Sequence, residues 1–135
     1  MGRVSYAMIR FPVAGSYTLS VAHDDNVWVD LSSDYANTNY RNASYDVPVG
    51  SLGSYTSGIN DFEPVGSFNA AAANSCALVR MYWTNAGGLN FARMRWTRTD
   101  GVTEIIPAER MFDPGDAASA DGCLGSIRGN GTALT

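Results

Sequence analysis

Between residues 76 and 84 the chain alternates with a period of two. Leu78, Arg80 and Tyr82 fall on one face, and Val79, Met81 and Trp83 on the other. Successive side chains of an extended strand point to opposite faces, so this run predicts a strand with one face in a core. Similar runs occupy residues 4–13, 16–21, 27–31, 90–99 and 102–106. The first two are joined by Pro12-Val13-Ala14-Gly15, and the last two by Asp100-Gly101, a two-residue hairpin signal. No segment carries a helical period, and Ala70 to Ala73 read as one helical turn or a small-residue loop. Short strands separated by frequent turns predict an all-β, antiparallel β-sandwich or a related barrel.

At 135 residues the chain fits one domain with a core of its own, expected over residues 1–112. A formal net charge of −4, with every basic residue an arginine, argues against nucleic acid or an anionic membrane as the main partner. No apolar run is long enough to span a membrane. Residues 32–74 change in character to Ser, Asn, Gly and Tyr, with Tyr35, Tyr40, Tyr45 and Tyr55 spread among them. That mix suits a binding surface, because tyrosine gives rigid amphipathic contact area; it equally suits an insertion packed onto the sandwich. Residues 113–135 are small and polar and read as a tail or linker towards a further region. Cys76 and Cys123 are the two cysteines, too far apart for a CxxC motif. They are expected to form a disulfide, with two buried thiols as the alternative.

Asp24 and Asp25 stand together at the end of the second strand-like run. Adjacent carboxylates repel unless a positive group lies between them, and Ca²⁺ favours such oxygen ligands. Taken with His23, Gly15-Ser16-Tyr17, Val27-Trp28-Val29, the Arg80-Met81-Tyr82 strand ending in Asn85, and Met94-Arg95-Trp96, the doublet resembles a family pattern. The chain is similar to the protective-antigen-type β-sandwich domain, in its subgroup of calcium-dependent lectins found in flocculin-type and bacterial adhesins. The resemblance covers most of residues 4–111, leaving 32–74 unmatched. It implies that Asp24 and Asp25 grip one Ca²⁺, with Asn85 and the carbonyls of Gly87 and Leu89 completing the protein ligands. Five oxygens leave two or three coordination positions open, which a sugar's vicinal diol would fill. Asp24, Asp25, Asn85, Gly88, Tyr35 and Tyr40 are then the expected carbohydrate contacts.

Other constellations point to less. His23 should face away from Asp24 and have a structural or surface role, and no nucleophile elbow is present, so no enzymatic activity is expected. Asp113, Asp116 and Asp121 lack the intervals of a calcium loop. Arg93, Arg95 and Arg98 suit a solvated strand face with acidic cross-strand partners. Trp28, Trp83 and Trp96 are expected in the core. The sequence therefore predicts a calcium-dependent glycan-binding module, extracellular or at a cell surface. A shaft or assembly module contacting neighbouring subunits and a non-catalytic domain of a carbohydrate-active enzyme are the alternatives.

Overall fold

The computed structural model describes residues 2–24, 26–35, 39–53, 61–84, 91–114, 121–124 and 127–129. Ten strands run in chain order: β1 (Gly2–Phe11), β2 (Gly15–Asp24), β3 (Val27–Ser32), β4 (Val47–Leu52), β5 (Glu63–Ala70), β6 (Ser75–Thr84), β7 (Phe91–Arg98), β8 (Thr103–Ile105), β9 (Met111–Phe112) and β10 (Ile127–Gly129). They form two five-stranded antiparallel sheets, sheet A in the order β4-β3-β6-β1-β9 and sheet B in the order β10-β5-β2-β7-β8. The protein is a β-sandwich. Only β3–β4 and β7–β8 are consecutive strands within one sheet; at every other connection the chain crosses between sheets.

Alternation decides what faces inward. Tyr17, Leu19 and Val21 of β2, Val27, Val29 and Leu31 of β3, Val79 and Trp83 of β6, and Trp96 of β7 meet in one apolar core. Phe11, Tyr17, Phe68 and Trp96 form its aromatic centre, with ring centroids 4.9–5.8 Å apart. Trp96 is fully buried, and its indole N–H donates to Glu104 Oε2 at 3.0 Å. Trp28 departs from expectation. Its neighbours Val27 and Val29 take the inward positions of β3, which turns Trp28 onto the outer face of sheet A, 38% exposed.

Residues 32–74 are not a bare insertion, because β4 and β5 lie inside them. Both strands carry the tetrapeptide Pro-Val-Gly-Ser, at residues 48–51 and 64–67. In each, the valine is skipped by the pairing register. Val29 faces Gly50 and Asp30 faces Pro48 in one sheet; Leu19 faces Gly66 and Ser20 faces Pro64 in the other. An extra residue of this kind bends its strand. The two bends meet back to back, where a Cβ on Gly50 would strike the Val65 carbonyl and one on Gly66 the Val49 carbonyl. Backbone contact between the sheets closes this side of the sandwich.

The opposite end is tied by the cysteines. Cys76 and Cys123 are bonded, Leu124 N–H donates to Asn74 O at 3.0 Å, and β10 pairs with β5. The described part of the tail thus adds an edge strand to sheet B. Arg10 lies over the Phe112 ring at 4.7 Å, and its guanidinium fills the space beside Gly122.

Candidate functional site

The residues that border three connections lie at one end of the sandwich, the end at which β2 stops. The crossing from β2 to β3 is the shortest of them. Asn26 accepts a hydrogen bond at its carbonyl from the Thr84 N–H, 2.9 Å away. Thr84 is the last residue of β6, and Asp24, the last of β2, stands in register with Phe91, the first of β7. The 85–90 connection therefore leaves and returns beside residues 24 and 26. The 53–62 connection is bordered by Leu52, paired with Val27, and by Glu63. Glu63 Oε1 lies 2.8 Å from Nε2 of His23.

His23 is fully buried. It follows Tyr17, Leu19 and Val21 on the inward face of β2, as alternation requires. The imidazole thus braces the end of β2 against the start of β5, which gives it the structural rather than the surface role.

Of the expected calcium ligands, Asp25, Asn85, Gly87 and Leu89 lie outside the described residues, as does Gly88. Asp24 closes β2, and its side chain also lies outside the description. Among the described residues no three His, Cys, Asp or Glu side chains are gathered for a metal. The donor types on the two segments, carboxylates at 24 and 25 and an amide and carbonyls at 85–90, are hard oxygens and suit Ca²⁺.

Tyr40 stands elsewhere. It sits in a 3₁₀ turn, Tyr40–Asn42, and lies against Tyr6 of β1, with ring centroids 5.1 Å apart. Tyr45 approaches the same Tyr6 ring at 6.1 Å and donates its hydroxyl to the Tyr40 carbonyl at 2.8 Å. The Arg80 guanidinium stacks on Tyr45 at 4.4 Å and donates to Asp30 Oδ2 at 2.8 Å. Burial, reinforced by the neighbouring Tyr6, pushes the Tyr45 hydroxyl up to about 12. Tyr35 comes just past the far end of β3 from Asn26. The structure thus gathers Tyr40 and Tyr45 on the outer face of sheet A rather than at the end of β2.

Along the same face, Trp28 and Tyr82 are cross-strand partners with ring centroids 5.2 Å apart. Sequence reasoning placed Trp28 in the core. The signal that locates it is its position between Val27 and Val29.

Of the predicted basic stripe, Arg95 and Arg98 go to different partners, and the side chain of Arg93 lies outside the description. Arg98 bonds Asp100 through a short contact and lies 3.8 Å from Glu104 of β8, so an acidic cross-strand partner is present. Its hydrogen bond holds the Asp100 carboxyl below the ordinary carboxylate range. Arg95 stacks on Phe62 at 4.7 Å.

No family model matches the chain, and no curated protein matches it.

Proposed function

We propose that this domain is a calcium-dependent carbohydrate-binding module of a secreted or cell-surface protein. Asp24, Asp25, Asn85 and the backbone of Gly87 and Leu89 would hold the Ca²⁺. The reading rests above all on the shared end of the sandwich. The Thr84 N–H to Asn26 bond and the pairing of Asp24 with Phe91 tie both ends of the 85–90 connection to residues 26 and 24. Two segments sixty residues apart, each rich in hard oxygen donors, thereby start and finish beside one another.

Bound Ca²⁺ supplies open coordination positions that two adjacent sugar hydroxyls can fill. The chain's own part is to hold two mutually repelling carboxylates at the end of a rigid strand, where a cation relieves the repulsion. Buried His23 fixes that strand end through Glu63. The 53–62 connection borders the same end and is the natural source of specificity. The Cys76–Cys123 disulfide supports an oxidising, extracellular setting. A shallow site of this kind binds weakly on its own, so function depends on many copies.

Calcium titration followed by thermal unfolding tests the ligand set. Ca²⁺ at a hundred times its dissociation constant stabilises a folded state by about 2.7 kcal/mol, a rise of several degrees in Tm. The Asp24→Asn/Asp25→Asn double variant loses that rise. An unchanged Tm for the wild-type chain in millimolar Ca²⁺ contradicts the proposal.

A further inference from the structure

The outer face of sheet A carries a trough built from two cross-strand rows. One row is Trp28, Tyr82 and Val4, and the next is Asp30, Arg80 and Tyr6. Together they line an open hollow of about 340 Å³. Trp28, Tyr82 and Val4 are 38%, 39% and 43% exposed. On the same face Met8 and Leu78 are buried, so the exposure is local to the trough.

Its chemistry is mixed in a specific way. The Trp28 and Tyr82 rings, tilted against each other and each more than a third exposed, carry π-faces of negative quadrupole, which attract the weakly positive C–H face of a sugar ring. The Arg80–Asp30 pair stands in the adjoining row, at a strand spacing of about 7 Å between same-face residues. Arg80 stacks on the Tyr45 ring and donates to Asp30 Oδ2, two contacts that restrict its fork. The guanidinium has five N–H donors and the carboxylate two acceptor oxygens, so both keep hydrogen-bonding capacity beyond their mutual pair. Apolar walls with a few convergent, preorganised polar groups are the make-up of a small-ligand site. A pyranose with equatorial hydroxyls matches both halves, since its faces are C–H and its rim is hydroxyl.

We propose that this trough is a cation-independent subsite for a gluco-configured pyranose, with Trp28 and Tyr82 as the stacking platform and Arg80 and Asp30 as the hydroxyl partners. It is separate from the calcium reading, because none of its residues is a proposed calcium ligand. It lies close to that site nonetheless. Trp28 is two residues from Asn26, or about 7 Å along the strand. A glycan chain can therefore extend from the end of the sandwich onto this face.

The test titrates a β-1,4-linked glucose tetramer into the full chain in excess chelator, following intrinsic tryptophan fluorescence and heat. Saturable binding is expected. Trp28→Ala weakens it at least tenfold and Arg80→Gln several-fold, while Trp28→Phe retains part of it. Val102→Ser, which removes an exposed apolar residue at the distant β7–β8 hairpin, leaves it unchanged. Thermal melts of each variant separate lost binding from lost folding. Absence of binding by the wild-type chain in chelator overturns the proposal, as does a folded Trp28→Ala chain that binds like wild type. Self-association abolished by Trp28→Ala, with no sugar binding, would also overturn it and make the face a protein interface. Binding that appears only with Ca²⁺ would overturn the trough and leave the calcium site standing.

Discussion

Tyr17 shows how much one side chain decides. Its ring is buried in the core, and its hydroxyl donates to Val13 O at 2.8 Å while accepting the Val13 N–H at 3.0 Å. The β1–β2 crossing is thus clamped by a residue already held by Phe11 and Phe68. Burial raises the Tyr17 hydroxyl above its ordinary value, and Tyr45 is raised in the same way. For both, the folded chain keeps its proton where the unfolded chain has lost it. The stability they contribute is complete below pH 10 and falls as pH rises, for Tyr45 up to about 12. Ultraviolet titration should show Tyr17 and Tyr45 ionising late, and Tyr45→Phe should remove one of these late steps. Trp96 yields a second prediction at this scale. Its buried indole N–H depends on Glu104. Glu104→Ala should cost about 1–3 kcal/mol in urea unfolding, because a buried donor loses its partner. Glu104→Gln keeps an acceptor and should cost less.

The strands that were legible in the sequence are those whose alternation is unbroken. The runs at 76–84, 16–21 and 27–31 became β6, β2 and β3, each slightly longer than expected. Strands β4 and β5 escaped because each holds a proline, a glycine and an extra residue within a few positions, which breaks the two-residue period. The repeated Pro-Val-Gly-Ser was the available signal. Gly66→Ala should cost about 2 kcal/mol or more, since its Cβ meets a backbone carbonyl that cannot step aside. Gly53→Ala, with Asn26 Oδ1 at 3.8 Å the one neighbour among the described residues, should stay within about 0.5 kcal/mol, as both unfolding midpoints would show. The Asp100-Gly101 turn is a hairpin, as its sequence signal predicts, but one residue longer than the two-residue loop expected. Gly101 N–H bonds Arg98 O at 3.0 Å, and Arg98 N–H bonds Val102 O at 2.8 Å. The loop is therefore Thr99-Asp100-Gly101, with Gly101 at φ +89° in the bulge position that favours glycine. The bond from Arg98 to Asp100 stabilises this longer form.

At the scale of the molecule, the sandwich was legible, and the proposed calcium site was legible as residue types alone. The doublet and Asn85 were identified by residue type, and the crossings that border them share one end. The outer trough was not foreseen, because the exposure of Trp28 depends on which face of β3 meets the core. The Cys76–Cys123 bond closes a span of 47 residues, and loop closure of that length is worth about 4 kcal/mol. Reduction should lower the unfolding free energy by that order and release the tail from Asn74, measurable by denaturation with and without reductant. The account stands most directly on how sugar binding answers to calcium. A glycan array probed in Ca²⁺ and again in chelator should show a set of glycans lost on chelation and recovered when Ca²⁺ is restored. An identical profile under both conditions, or no glycan bound under either, would contradict it.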